Sequence, residues 1–135
     1  AALGLGEALR ASGAADVIGG QMVQIAGSNP LVALLMIYLT TAFFTEIVTN
    51  NAAAVLMFPI VLAAAESMGV SPVPFIIAVM MAASASFATP LGYQTNLMVA
   101  GPGRYRFIDF MRVGLPLNVL LGLVSVVVIP LVWTF

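Results

Sequence analysis

Two long apolar runs dominate the first half of this chain, and a short polar cluster separates them. The first run, residues 31–48, follows Asn29-Pro30, which is a helix-start signal: the asparagine caps, and the proline loses no hydrogen bond in the first turn. At 1.5 Å per residue this run makes a helix of about 27 Å, close to the roughly 30 Å of a bilayer core. The pattern therefore predicts a membrane-embedded helix from residue 31.

The second run, residues 52–65, is shorter and would rise only about 21 Å as a helix. Thr49, Asn50 and Asn51 lie between the two runs, where polar backbone at membrane depth is tolerated only inside protein or beside water. We therefore expect residues 31–66 to form a re-entrant hairpin with these three residues at its tip.

A second polar interruption follows a third apolar stretch. Residues 66–74 read as a surface turn, residues 75–87 are apolar, and residues 88–96 combine proline and glycine with polar side chains, which predicts an unwound helix. We expect a discontinuous transmembrane helix over residues 73–100 and a last transmembrane helix over residues 112–135. Two interrupted elements at similar depth are typical of a transporter site.

The beginning of the chain is more polar than the rest. Residues 1–30 carry Glu7, Arg10 and Asp16 among apolar positions, a mixture that predicts an amphipathic segment at the membrane interface; a loop helix packed on protein is the alternative. Without an initiator Met or a basic leader region, residues 1–4 do not resemble a signal peptide, and we expect the chain to be a fragment.

Composition strengthens the membrane assignment and narrows the function. Of 135 residues, 62% are hydrophobic and 7% are charged, whereas about a quarter are charged in soluble domains. The chain has no Cys and no His, so an enzyme is not expected, and its arginines form no stripe for nucleic acid. Arg104, Arg106 and Arg112 predict a cytoplasmic loop, so the hairpin should open outward in a multi-pass protein of the cytoplasmic membrane.

Two stretches of the sequence resemble a known family. TEIVTNNAAAVLMFP and ATPLGYQTNLMVAGPGRYRFIDFMRVGLPLN, residues 45–59 and 88–118, are similar to the hairpin signature and the unwound helix of the divalent anion/sodium symporters, in their C-terminal inverted repeat. The resemblance implies an all-α membrane fold in a homodimeric secondary transporter of the ion transporter superfamily. It also implies elevator-type transport of dicarboxylates or sulfate with sodium, no other cofactor, and an N-terminal repeat of the same protein as partner.

The resemblance also implies which residues bind. The two polar interruptions would hold one sodium ion through carbonyls and an amide side chain, with the set Thr45, Val48, Asn50, Gly92 and Gln94. The anion would be met by hydroxyls and amides from the same two regions, namely Thr49, Asn50, Asn51, Tyr93 and Thr95.

The sequence departs from the family pattern at two places, and these bear on the substrate. Thr49-Asn50-Asn51 replaces Ser-Asn-Thr, and the loop reads Gly-Tyr-Gln-Thr-Asn, as in the branch that includes sulfate carriers. We therefore favour a sulfate-like oxyanion over a dicarboxylate.

One alternative is a cation/proton antiporter or arsenite-type carrier in which Glu46 takes a proton, and another is a non-transporting membrane subunit. We otherwise expect a structural role for Glu46, and a helix-to-helix hydrogen bond for Asn118.

Overall fold

A computed structural model describes residues 4, 7, 8, 11–27 and 29–135 of the chain. The described residues include six helices and no strand, which confirms the all-α fold class for this part of the chain. The helices are α1 Ala14–Ala26, α2 Pro30–Thr45, α3 Asn50–Met68, α4 Val73–Ser84, α5 Gln94–Ala100 and α6 Phe107–Val132. Two of them, α3 and α6, are long and apolar enough to cross a membrane.

Local chemistry explains where the first helices begin and end. The Asn29 side chain accepts a hydrogen bond from the backbone N–H of Leu31 at 3.0 Å, and Pro30 occupies the first turn of α2. At the start of α3 the Thr49 hydroxyl accepts from the Ala52 N–H at 3.4 Å. Gly69 ends α3 in the left-handed conformation, with φ of 68°, which glycine adopts without steric cost.

The second arm of the hairpin is longer than the sequence pattern predicts. The apolar run ends near residue 65, but α3 covers 19 residues, Asn50–Met68, or about 28 Å. The helix continues through Glu66 and Ser67 because neither residue stops a helix, whereas Gly69 does. It also starts earlier, so Asn50 and Asn51 lie in its first turn, and the connection between α2 and α3 is residues 46–49. We call residues 46–49 the tip.

The core lies where α2, α3 and α4 pack together, with α1 against the outer side of α3. The largest side chains buried in it come from these three helices: Leu34, Ile37, Tyr38, Met57, Val61 and Phe75. A β-carbon at Gly19 of α1 would stand only 3.0 Å from backbone atoms of Ile60 and Ala64 of α3, so a glycine permits this close approach. Within the described residues α1 therefore packs against α3, in agreement with the alternative prediction of a loop helix packed on protein. That α1 also lies at a membrane interface stays a prediction.

The fourth helix stops after residue 84, and the chain runs without helical structure until α5 begins at residue 94. We call residues 85–93 the break. The last helix, α6, packs against α2 and α4 and leaves most of its surface uncovered. Its large exposed side chains are apolar, as expected for contact with lipid or with other parts of a membrane protein: Val119, Leu120, Leu123, Val127 and Leu131.

Candidate functional site

The two polar interruptions meet, because the end of α2 is hydrogen-bonded to the end of α4 and to the break. The Thr45 hydroxyl donates to the carbonyl of Ala83 at 2.7 Å, and the Ser86 hydroxyl donates to the Thr45 carbonyl at 3.0 Å. Thr45 and Ser86 are both buried. The carbonyl of Ala83 belongs to the last turn of α4 and lacks a partner in its own helix, so the threonine satisfies it.

Glu46, the first residue of the tip, adds three more contacts. Its backbone carbonyl accepts a hydrogen bond from the Thr89 hydroxyl at 2.7 Å. Its carboxylate oxygen Oε1 accepts from the Ala88 N–H at 3.0 Å and from the Asn118 side-chain amide of α6 at 2.7 Å. The structural role expected for Glu46 was to accept hydrogen bonds from N–H groups of the tip itself, but its backbone donor is Ala88 of the break. The hydrogen bond expected for Asn118 joins α6 to the tip and not to another helix.

The break is held in shape by its own polar side chains. The Asn96 amide donates to the carbonyls of Ser86 and Thr89, at 3.1 and 3.2 Å, and the Thr89 hydroxyl accepts from the Gly92 N–H at 3.4 Å. These bonds replace part of the helical ladder that Pro90, which has no N–H, cannot continue. In the break, the Ser86 and Thr89 carbonyls are consequently paired with a side chain and not with the backbone N–H groups of a continuous helix.

Gly92 fits the site because it has no side chain. A β-carbon at this residue would overlap the Ser86 hydroxyl and the Thr45 carbonyl. The break and the end of α2 therefore approach each other as closely as backbone allows, and any other residue at position 92 would push them apart.

The residues predicted to hold sodium fall into two groups in the structure. Thr45 and Gly92 are buried and lie next to each other. Val48 and Asn50 are half-buried at the tip and the start of α3, and Gln94 is exposed at the start of α5. The structure thus brings Thr45 and Gly92 together. Within the described residues, no hydrogen bond links Val48, Asn50 or Gln94 to that pair or to one another.

The residues predicted to meet the anion lie on the surface of this chain or near it. Thr49, Asn51, Tyr93 and Thr95 are exposed, and Asn50 is half-buried. Thr49 caps α3, and the Asn50 side-chain oxygen accepts from the backbone N–H of Asn51 at 3.0 Å. They provide hydroxyls and amides around the start of α3 and the start of α5, next to the tip and the break that the hydrogen bonds of Glu46 hold together.

Sequence reasoning missed three residues that build the site: Ser86, Thr89 and Asn96. Each lies in or beside the polar interruption of an apolar run, and each has a hydrogen-bonding side chain. That signal was present, but Ser86 and Thr89 bond to carbonyls more than 40 residues away, and Asn96 bonds to carbonyls within the break, and sequence alone does not indicate these partners.

An apolar cleft of about 460 Å³ opens between α2 and α6, and Glu46 and Asn118 lie at one end of it. The described residues contain no group of three or more His, Cys, Asp or Glu side chains that could hold a metal ion. A cation at this site would instead be held by carbonyls, hydroxyls and amides, the oxygen donors that alkali and alkaline-earth ions prefer.

Comparison with known proteins points to transport. A family model described as "Citrate transporter" (CitMHS) matches residues 1–135. An uncharacterized transporter of Synechocystis is 52% identical over 74% of this chain, which is 16% of that protein. Sodium/sulfate cotransporter 1 of Chlamydomonas reinhardtii is 39% identical over 93% of the chain, and 14% of that protein. The sodium-dependent dicarboxylate transporter SdcS of Staphylococcus saprophyticus is 34% identical over 98% of the chain, and 25% of that protein.

These findings confirm the resemblance to the divalent anion/sodium symporters, since the matched relatives include sodium-coupled sulfate and dicarboxylate transporters. They also confirm the prediction that this chain is not an enzyme, because the matched family and relatives are transporters. The chain spans a quarter or less of the length of these three relatives.

Proposed function

The chain belongs to the citrate transporter family, and from that premise we propose that it forms part of a sodium-coupled carrier of a divalent anion in the cytoplasmic membrane. The observation that carries this proposal is that the end of α2 and the tip are joined to the end of α4 and the break, by hydrogen bonds from Thr45, Ser86 and Thr89. In a membrane carrier, two interrupted elements that meet in this way supply freed carbonyls and helix ends for ions and anions.

The depth of the tip supports a re-entrant hairpin. The tip is bonded to Asn118, which lies about 9 Å beyond Arg112 and about 21 Å before Val132 along α6, at 1.5 Å per residue. A tip bonded there lies inside the apolar layer. The 16 residues of α2 rise about 24 Å, so an arm that enters from the outer face reaches this depth without crossing.

Sodium would be held where the tip and the break face each other, by Thr45, Val48, Asn50, Gly92 and Gln94. The close contact of Gly92 with the Thr45 carbonyl supports this set, because it brings backbone oxygens of both interruptions into one region. Uncharged oxygen donors of this kind suit an alkali cation, and the ion would supply the positive charge that a dianion needs.

The anion would lie beside the sodium ion, against Thr49, Asn50, Asn51, Tyr93 and Thr95. Their exposure on this chain supports a site completed by another part of the protein. The first turn of α3 adds the positive end of a helix dipole. The relatives include both a sodium/sulfate cotransporter and a sodium-dependent dicarboxylate transporter. The loop sequence Gly-Tyr-Gln-Thr-Asn, residues 92–96, is the reason to favour a sulfate-like oxyanion over a dicarboxylate.

The rest of the protein would complete the carrier. The chain spans a quarter or less of these relatives, so most of the carrier lies outside it. We propose that the chain is the C-terminal repeat of the transport machinery and pairs with an N-terminal repeat. We further propose that the protein works as a homodimer. The uncovered apolar surface of α6 is consistent with contacts to lipid and to that remaining part.

Uptake of radiolabelled sulfate by vesicles containing the full-length protein tests the proposal. We expect uptake to require an inward sodium gradient and to be blocked by unlabelled sulfate and thiosulfate. If the same vesicles take up labelled succinate with sodium, and sulfate and thiosulfate do not block that uptake, the substrate is a dicarboxylate. Transport driven by a proton gradient without sodium would support the antiporter or arsenite-type alternative, and an absence of any transport would support a membrane subunit without transport activity.

A further inference from the structure

We propose that Glu46 and Asn118 are positioning residues for the sodium site, and that their hydrogen bond lets α6 control how the end of α2 and the tip present their carbonyls. The inference rests on the proposed function, because the carbonyls concerned are those of Thr45 and Val48 on either side of Glu46. Neither Glu46 nor Asn118 belongs to the proposed sodium or anion ligands.

Glu46 is the point where three parts of the chain are joined. Its backbone carbonyl accepts from Thr89, and its Oε1 atom accepts from the N–H of Ala88 and from the side chain of Asn118. A turn of only four residues, the tip, is thereby tied to the break and to α6. The direction of the neighbouring carbonyls consequently depends on whether the Glu46 side chain holds its partners.

The close approach of α6 is built into its sequence. Gly114 lies one turn before Asn118, on the same face of the helix. A β-carbon at residue 114 would overlap the Phe87 carbonyl and crowd the Ala88 nitrogen. The absence of a side chain at residue 114 therefore brings α6 against the break, and Asn118 reaches Glu46 as a result.

The polar side chains of Glu46 and Asn118 are not those that stability alone would favour at these positions. Glu46 Oε2 and Asn118 Oδ1 are buried and have no hydrogen-bond partner within the part of the chain that the structure describes. Buried polar groups with unmet hydrogen bonds cost free energy, and replacing both partners of such a pair by apolar residues of similar size is often neutral or stabilising. Apolar residues at positions 46 and 118 would pack in the α2–α6 cleft, so the polar pair indicates a demand for position and not for stability.

Four variants of the full-length protein test the inference. Asn118→Leu removes the donor at similar volume, and Glu46→Ala removes the acceptor. Glu46→Gln removes the charge but retains a carbonyl oxygen that accepts from Ala88 and Asn118. Leu120→Ala, at an exposed position of the same helix, is the control for a change on α6.

The measured quantities are the sodium concentration for half-maximal uptake, the anion KM at saturating sodium, and the sodium-induced rise in melting temperature. We expect Asn118→Leu and Glu46→Ala to raise the half-maximal sodium concentration about tenfold, which corresponds to about 1.4 kcal/mol. The anion KM at saturating sodium should change little, and Glu46→Gln and Leu120→Ala should stay near the unmodified protein.

Several results would overturn the inference. Unchanged sodium dependence in both Asn118→Leu and Glu46→Ala, with normal sodium dependence in the unmodified protein, removes the positioning role and leaves the proposed function intact. A Glu46→Gln variant as impaired as Glu46→Ala would mean that the charge of Glu46 matters and not its hydrogen bonds. If the unmodified protein responds to sodium neither in uptake nor in melting, the proposed function fails and the inference fails with it. Should Glu46→Ala not fold, Asn118→Leu and Glu46→Gln still decide between these outcomes.

Discussion

Gly114 of α6 lies directly against the backbone carbonyl of Phe87 in the break, with no room for a β-carbon between them. This contact joins a helix long enough to cross a membrane to the loop that forms half of the candidate site. It is a contact between backbones, so no side chain can move aside to relieve an added methyl group.

We therefore expect Gly114→Ala to separate α6 from the break and to impair transport. Forcing a methyl group into a packed contact costs about 1–3 kcal/mol. The melting temperature of the purified full-length protein should fall, and sodium-driven uptake should fall with it. Gly101→Ala is the matched control, since a β-carbon there meets no atom within 4 Å. Equal behaviour of the two variants would show that the Gly114 contact is unimportant.

A second prediction concerns the amide at the start of α3. Asn50→Ala in the full-length protein should abolish sodium-driven uptake and leave expression near normal, because Asn50 is assigned to both the sodium and the anion set. Its side chain makes only a local contact, to the N–H of Asn51, so folding depends on it little. Gln24→Ala on the exposed surface of α1 serves as control. Unchanged uptake kinetics in Asn50→Ala would remove this residue from the site.

A third prediction concerns the orientation of the hairpin. If α2 and α3 enter and leave on the outer face, single cysteines introduced as Pro30→Cys and Ser67→Cys should both react with a membrane-impermeant thiol reagent added outside. The native chain has no Cys, so labelling in this region reports only the introduced residue. Arg104→Cys in the predicted cytoplasmic loop is the opposite control. Outside labelling at only one of residues 30 and 67 would mean that the hairpin crosses the membrane.

The sequence predicts those features of the fold that depend on neighbouring residues. The start of α2 was predictable because Asn29 and Pro30 act within one turn, and the break was predictable because Pro90 interrupts the helical ladder locally. The end of α3 was predicted wrongly because Glu66 and Ser67 read as a turn. Gly69 is what ends that helix, and a polar residue on an exposed helix end costs little.

The contacts that assemble the site could not be predicted in the same way. Glu46 and Asn118 are 72 residues apart in sequence, and Thr45 and Ala83 are 38 apart. Sequence shows that such residues are polar in apolar surroundings and hence need partners. It does not show which partner, because that choice depends on how α2, α4 and α6 pack.

Thr41 and Thr45 offer a matched pair for measuring how much the hydrogen bond between α2 and α4 contributes to the stability of the protein. Both threonines are fully buried on α2, and each hydroxyl donates to a carbonyl at 2.7 Å. The partner of Thr41 is the carbonyl of Ile37 in its own helix, which keeps its helical hydrogen bond without the hydroxyl. The partner of Thr45 is Ala83 at the end of α4, whose carbonyl has no helical partner to replace it.

We therefore expect Thr45→Val to destabilise the protein by about 1–3 kcal/mol, the cost of a buried carbonyl left without a donor, and Thr41→Val to cost clearly less. The valine keeps the shape of threonine, so the difference between the two variants isolates the hydrogen bond. Urea or thermal unfolding of the purified protein measures the difference, and the half-maximal sodium concentration should rise in Thr45→Val alone. Equal effects of the two substitutions on stability and on sodium dependence would mean that the bond between Thr45 and Ala83 does not hold the two interruptions together.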